Sequence, residues 1–259
     1  MLIPVAPSGA QTIWVSDYAT GDVGTFDRTL GTVTKTSLLG TAMTDIAFNP
    51  VNRIFYGIGY NDNLYTFDPT SGATTLIGND GGVFLAGLGF RNDGLLVGGT
   101  GNDLYTINIT TGAATHVQSL SGSGQGADLV FDSSNNLYLT TADAHIYKFT
   151  DFLGSSAYAD LGSTGLPDGG VALAYNGSQL YVFDNGTSQF SVFNPISSAH
   201  TVFSYSGNLG SIVGGATFEP AISGVPEPGA LAILPGLGVA SLFTVRRIRR
   251  RAQPNEQLG

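Results

Sequence analysis

The sequence contains no cysteine, which excludes a disulfide framework, Cys-based zinc sites and thiol catalysis. It has three histidines, and no two of His116, His145 and His200 stand at a metal-ligand spacing. Cations are also scarce: before Val225, five Lys and Arg stand against sixteen Asp and one Glu. Because such an acidic body repels phosphate backbones, nucleic acid is not expected as a partner.

No heptad pattern or long amphipathic helix is present, and 37 glycines favour a turn-dense all-β chain. The stretch from Asp45 to Asn79 contains short apolar runs separated by Gly, Pro, Asn and Asp, which is typical of antiparallel strands. It predicts four strands, at Asp45–Phe48, Arg53–Ile58, Leu64–Asp68 and Ala73–Ile77.

This four-strand pattern recurs along the chain, as two independent markers show. A polar residue opens the turn after each third strand, at Asp27, Asp68, Asn108, Thr150 and Asn194, with spacings of 41, 40, 42 and 44 residues. The aromatic residue of each first strand recurs at Phe48, Phe90, Phe131, Tyr175 and Phe218, with spacings of 42, 41, 44 and 43 residues. A period of about 40–45 residues with four strands is that of a β-propeller blade.

The chain ends predict how the ring closes. The first copy has only its second, third and fourth strands, at Thr12–Val15, Val23–Asp27 and Thr32–Leu38. Its missing first strand is found near the other end, at residues 215–220. We therefore predict a five-bladed β-propeller over residues 12–220, whose last strand completes the first blade and removes an open edge. An open β-solenoid is the alternative, and it needs no such complementary ends.

Inside the predicted propeller we find no catalytic constellation, so we expect no enzymatic activity. The best candidate site is the position three residues before each first-strand aromatic: Asp45, Gly87, Asp128, Ala172 and Gly215. First strands line the central channel, so Asp45 and Asp128 bring two carboxylates to its mouth, where they are weak candidates for Ca²⁺ binding. The alternative is that each Asp caps its entry turn. Asp27, Asp68, Asn108 and Asn194 are expected to act only as turn caps.

The chain after Pro220 has a different composition. A linker (residues 221–224) leads through Val225 to Pro226-Glu227-Pro228, and residues 229–245 then contain no charge. This run is just long enough to cross a membrane as a helix. It is followed by five arginines, Arg246, Arg247, Arg249, Arg250 and Arg251. Since Arg clusters stay cytoplasmic, the propeller is expected on the other side of the membrane.

The tail resembles a PEP-CTERM sorting signal, in which Pro-Glu-Pro is followed by a membrane helix and an arginine-rich cluster. Pro226, Glu227 and Pro228 match the tripeptide, 229–245 the helix and 246–251 the cluster. The resemblance covers about the last tenth of the chain. It implies recognition and removal of the tail by an exosortase, in Gram-negative bacteria that make exopolysaccharide. It also implies passage through the inner membrane to the cell surface or the extracellular matrix.

The sequence departs from that family at both ends. Residues 252–259 extend past the arginine cluster, and residues 1–11 lack the basic and apolar regions of a signal peptide. We therefore expect that a leader lies upstream of Met1 or was trimmed. The predicted organisation is an N-terminal segment (1–11), the propeller (12–220), a linker with the Pro-Glu-Pro motif (221–228), a membrane helix with its basic cluster (229–251) and a tail (252–259).

Three functions remain open at this point. The first is an exported, non-enzymatic surface or matrix propeller, with exopolysaccharide or other matrix components as partners. The second is a periplasmic, lactonase-like hydrolase with a metal in the channel, which needs more ligands than Asp45 and Asp128. The third is a lectin-like ring with one weak carbohydrate site per blade, against which the dissimilar inter-blade loops count.

Overall fold

A computed structural model describes residues 12–17, 19–120, 126–155, 157–167, 172–184, 186–209, 212 and 215–219. These residues form an all-β, five-bladed β-propeller, as predicted, with one sheet of four antiparallel strands per blade, to which a short parallel strand is added in blade 1. The chain divides into two units, Met1–Ser223 and Gly224–Gly259, and every described residue belongs to the first.

In blades 2 to 5 the strands follow one another from the inside outwards, whereas in blade 1 the innermost strand is the last of the chain. Blade 1 contains β1 (Thr12–Ser16), β2 (Asp22–Asp27), β3 (Thr32–Leu38) and β21 (Gly215–Glu219). Blade 2 contains β4 (Met43–Phe48), β5 (Phe55–Gly59), β6 (Asn63–Phe67) and β7 (Thr74–Asn79). Blade 3 contains β8 (Gly87–Phe90), β9 (Leu96–Thr100), β10 (Asp103–Ile107) and β11 (Ala114–Ser119). Blade 4 contains β12 (Gly126–Phe131), β13 (Leu137–Thr141), β14 (His145–Phe149) and β15 (Ala159–Ser163). Blade 5 contains β16 (Ala172–Tyr175), β17 (Leu180–Phe183), β18 (Gln189–Phe193) and β19 (His200–Ser204), and a short β20 (Ser206–Gly207) follows.

Turn chemistry explains one shift between predicted and observed boundaries. Asn49 accepts hydrogen bonds on its side-chain oxygen from the amides of Val51 and Asn52, so the turn after β4 is longer than predicted. Arg53 has a left-handed φ of 61° and donates its amide to the Asn49 carbonyl. A residue in this conformation cannot continue a strand. Strand β5 therefore begins at Phe55 rather than at Arg53.

Asp and Asn side chains cap the turns between third and fourth strands. The side-chain oxygens of Asp27, Asp68, Asn108 and Asn194 each accept the amides two and three residues ahead. In blade 4 the marker Thr150 is displaced by one position, because Asp151 caps that turn by accepting from the Gly154 amide. The five caps confirm the predicted repeat of the turn.

The hydrophobic core is divided among the seams between blades. Five clusters of buried side chains lie one at each seam: between blades 1 and 2, 2 and 3, 3 and 4, 4 and 5, and 5 and 1. Each sheet buries both faces, since each has a neighbour on either side. This accounts for continuously buried strands such as β5 and β13.

The ring is closed by two separate pairings. Strand β21 pairs antiparallel with β1, with Phe218 opposite Ile13, and so supplies the missing innermost strand of blade 1, as predicted. In addition, β20 pairs in parallel with the outer edge of β3. Asn208 extends this second pairing by accepting the Lys35 amide at 2.7 Å. The inner and the outer edge of blade 1 are therefore both joined to chain that follows blade 5.

Several predicted segments lie outside the described residues: 1–11, the linker with Pro226, Glu227 and Pro228, the apolar run 229–245, the arginine cluster 246–251, and 252–259. Within the described part of the chain, no helix is long and apolar enough to cross a membrane.

Candidate functional site

The predicted ring of channel positions meets at the centre of the propeller. The innermost strands β4, β8, β12, β16 and β21 contact one another in order around the axis. Two of the five positions carry carboxyl groups, Asp45 and Asp128, and both are buried, at 0 % and 1 % exposure. The other three positions are small residues, Gly87, Ala172 and Gly215, which leaves room for two side chains at the axis.

Each axial carboxylate accepts one backbone amide from its own blade and one from the next blade. Asp45 accepts the Ile46 amide within blade 2 and the Leu88 amide of blade 3. Asp128 repeats this arrangement, accepting the Leu129 amide within blade 4 and the Leu173 amide of blade 5. The two carboxylates therefore join inner strands in pairs, blade 2 to blade 3 and blade 4 to blade 5.

The two carboxyl groups also meet each other. Burial raises the pKa of Asp45 well above its ordinary value of 3.8, and the negative charge of Asp128 and a side-chain hydrogen bond with it raise that pKa further. The amides of Ile46 and Leu88 act in the opposite direction. The raised pKa favours the protonated form of Asp45, and a hydrogen bond between two carboxyl groups requires a proton on one of them.

Blade 1 completes the axis through Gly215. This glycine has a φ of 137°, and a Cβ built on it would overlap the Asp45 Oδ1 atom and crowd the Ile46 amide. A side chain at this position would displace the carboxylate from its amide donors. The two carboxyl groups of Asp45 and Asp128, which we call the axial pair, therefore require a glycine at position 215.

The axial pair has some features of a metal site and lacks others. Its oxygens already accept four backbone amides. Across the described ranges no third His, Cys, Asp or Glu lies close enough to complete a metal site. Since Ca²⁺ takes six to eight oxygen ligands, the arrangement suits a proton-sharing clamp between blades better than a cation. Calcium binding at Asp45 and Asp128 stays a prediction.

The three histidines are placed apart from the axis. His116 Nε2 lies 3.2 Å from Asp103 Oδ1 on the outer strands of blade 3. His145 Nδ1 lies 3.0 Å from Asp160 Oδ1 in blade 4, and His200 is exposed on β19. The structure brings no two of them together.

A second feature, which the sequence analysis missed, is a groove of about 850 Å³ at the seam between blades 5 and 1. Its lining comes from three sources: the turn 28–31 of blade 1, three residues of the turn 176–179 of blade 5, and residues of β17, β18, β19 and the turn between β18 and β19. We call this the seam groove.

One repeated residue differs in blade 1, and it lies in the lining of the seam groove. The residue directly after the turn cap is apolar and at least half-buried in four blades, as Pro69, Ile109, Phe152 and Pro195. Pro69 touches the preceding blade, since its carbonyl accepts the Thr36 and Ser37 hydroxyls. In blade 1 this residue is Arg28, which is exposed and lines the groove. Alignment of the five repeats on their caps would have revealed the exception.

Neither the protein-family models nor the curated proteins contain a match to this chain. Solved structures do resemble it. A chain in the crystal structure of a nidogen/laminin complex has a TM-score of 0.58 and 13 % identity, over 81 % of this chain and 98 % of that one. A structural-genomics protein of unknown function from Bacteroides thetaiotaomicron has a TM-score of 0.54 and 15 % identity, over 80 % and 66 % of the two chains. At such identities the similarity establishes the β-propeller fold and no function.

Proposed function

We propose that this protein is an exported, non-enzymatic recognition propeller whose C-terminal segment is a sorting signal processed by an exosortase. One observation carries the proposal: β21 completes the ring at Glu219 before the tail begins. The apolar run 229–245 and its five arginines are therefore not required to close the ring. A segment of this composition that the fold does not need is best explained as a membrane and sorting element.

A recognition role suits the body of the molecule. The blades form a rigid scaffold with turns and loops at both ends of the channel, and binding residues are commonly carried on such loops. The axial carboxylates are occupied by backbone amides and by each other. Among the described residues at the axis, both carboxyl groups therefore already have partners.

The sorting proposal is tested by the mature C-terminus of the protein. We would express the chain, with a secretory leader fused before Met1, in a Gram-negative host that carries an exosortase. The expected product is released protein that lacks the residues from Gly229 onward, identified by mass spectrometry. Glu227→Ala is expected to keep the intact tail in the membrane fraction. Glu256→Ala, beyond the arginine cluster, is the matched control and is expected to be processed normally.

Two results would contradict these assignments. Intact chain recovered from the cytosol without membrane association, despite the leader, would contradict the proposal. Equal processing of the Glu227→Ala and Glu256→Ala variants would contradict the assignment of Pro226-Glu227-Pro228 as the recognised motif.

A periplasmic hydrolase with a metal in the channel is the second candidate, and the meeting of Asp45 and Asp128 is what favours it. A ligand that binds only the folded state raises the unfolding temperature as its concentration increases. This candidate therefore predicts that calcium stabilises the protein, that Asp45→Asn abolishes the effect, and that esterase activity accompanies it. A melting temperature that does not change as calcium is raised to millimolar concentrations would exclude the hydrolase candidate.

A further inference from the structure

The seam groove has an exposed aromatic platform. Phe203 is 46 % exposed and stacks on Phe190, with ring centroids 5.3 Å apart and an interplanar angle of 24°. Phe190 is itself buried against blade 1, so the pair is held in place from below. A large aromatic face presented to solvent in a groove is the kind of apolar surface that marks a binding site.

Polar side chains surround this platform. Thr201 lies two residues before Phe203 on β19, opposite Val192, and therefore on the same face of the sheet. Gln179 lies at the end of the groove on the turn that Asn176 caps, and it is half-buried. Arg28 faces both from blade 1, and within the described residues no side chain bonds to its guanidinium.

The charge of the seam groove is opposite to that of the body. None of the described residues that line it is acidic, although the chain before Val225 carries seventeen Asp and Glu against five Lys and Arg. The nearest carboxylate in sequence, Asp27, is engaged by the Thr29 and Leu30 amides of its own turn. A single guanidinium in such a place suits a planar carboxylate, which it can bind through two parallel hydrogen bonds.

We propose that the seam groove binds a carboxylate-bearing saccharide of the uronic acid type. Arg28 pairs with the carboxylate, and Phe203 stacks against the apolar C–H face of the sugar ring. Gln179 and Thr201 bond to ring hydroxyls. One cation beside one aromatic face matches a ligand with one carboxylate per ring. An acidic peptide can also offer a carboxylate to Arg28, but it presents no apolar sugar face to Phe203.

This assignment rests on the recognition role proposed above but not on the sorting role, and it differs from a lectin with one site per blade. Pro69, Ile109, Phe152 and Pro195 occupy the corresponding position in the other blades, so we expect one binding site per chain.

The test uses the purified full-length chain in detergent and isothermal titration calorimetry with trigalacturonic acid as the probe. We expect one site per chain, with affinity that falls as salt is added. The methyl-esterified trisaccharide, which has the same rings without charge, is expected to bind at least about tenfold more weakly, since a charge-assisted pair is lost. A short poly-glutamate peptide is the third probe, and it is expected to bind more weakly than the saccharide.

Variants separate the seam groove from the rest of the surface. Arg28→Gln and Phe203→Ala are each expected to weaken trigalacturonic acid binding by about tenfold or more. Arg91→Gln and Phe84→Ala change an arginine and a 48 % exposed phenylalanine outside the groove, and they are expected to leave the affinity unchanged. Arg28→Ile restores the apolar residue found in blade 3 and is expected to abolish binding while the chain stays folded.

Three results would overturn the proposal: no heat of binding with trigalacturonic acid, equal affinity for the methyl-esterified form, or tighter binding of poly-glutamate that is insensitive to Phe203→Ala. The last result would assign the groove to acidic peptides instead. Because these measurements are made on purified protein, their failure leaves the cellular sorting test untouched.

Discussion

Aspartate performs two different tasks in this ring. At the turns it is exposed, and the amides of Ser71 and Thr70 lower the pKa of Asp68. At the axis it is buried, and burial with the charge of Asp128 raises the pKa of Asp45. The same side chain thus favours its charged form at the rim and its protonated form at the centre.

This contrast predicts opposite pH dependences. A native state that holds a proton on Asp45 loses stability as the pH rises from the ordinary value of 3.8 through the raised pKa of the folded protein. Asp45→Asn cannot titrate, so its stability relative to the parent chain should increase over that window, by at most about 1.4 kcal/mol per pH unit. Urea unfolding at a series of pH values from about 4 to about 7 measures this difference.

Asp68→Asn is the matched control at the rim. Asparagine can still cap the turn, as Asn108 does in blade 3. Because the folded pKa of Asp68 is lowered, its stabilising effect is present above the ordinary pKa and is lost in acid. This variant should therefore lose stability relative to the parent as the pH rises toward 3.8, so for this pair the urea series is extended to pH values of about 2. The same sign for both variants would refute the assignment.

Gly215 provides a second prediction for a single residue. Gly215→Ala places a Cβ on the Asp45 carboxylate and forces an L-residue into a φ of 137°, so we expect a loss of about 2–4 kcal/mol in the free energy of unfolding. Gly81 also has a positive φ, of 97°, but nothing lies within 4 Å of its Cβ position. Gly81→Ala is expected to cost only about 1 kcal/mol. Equal urea midpoints for the two variants would show that the collision at the axis is not significant.

Among the secondary-structure elements, blade 5 differs from the others in its outer strand. The third and fourth strands of blades 1, 2, 3 and 4 pair with a register shift, whereas β18 and β19 pair without one. A bulge bends and twists an edge strand. Without it, β19 stays regular and presents Thr201 and Phe203 on one face, which builds the floor of the seam groove.

The second closure, through β20, is expected to be a local element rather than a support for the whole ring. Asn208→Ala removes the acceptor of the Lys35 amide, at a cost of about 1 kcal/mol. Amide hydrogen exchange should become several-fold faster at Ser206, which donates to Gly31, while β17 stays protected. Asn61→Ala, which breaks a side-chain bond to Tyr65 inside blade 2, is the control. Faster exchange throughout blade 1 would mean that β20 supports the sheet.

At the scale of the whole molecule, the ring ends where β21 ends. A chain truncated after Pro220 is expected to unfold at the same temperature as the full-length protein in the same detergent, because all five seams are retained. A chain truncated after Leu209 lacks β21 and leaves the inner edge of β1 unpaired, so it should fail to fold or should associate. Circular dichroism melts and size-exclusion chromatography distinguish the two. A lower melting temperature for the chain truncated after Pro220 would show that the ring depends on its tail.

The sequence by itself determined the repeat, the number of blades, the turn caps and the strand that closes blade 1. These features are encoded locally, because caps such as Asp68 and Asn108 bond to amides two and three residues away. The number of blades then follows from the number of times that the period of about 40–45 residues recurs along the chain. The composition of the tail after Pro220 is likewise a property of sequence alone.

The tertiary structure alone decided which distant side chains meet. Asp45 and Asp128 belong to blades 2 and 4 and share a hydrogen bond only because ring closure brings their strands to one axis. Arg28 faces Phe203 only because the last blade in the chain is the neighbour of the first. Contacts of this kind depend on the angle between blades and on the size of the side chains at each seam. Neither quantity is expressed in the spacing of turns and strands along the chain.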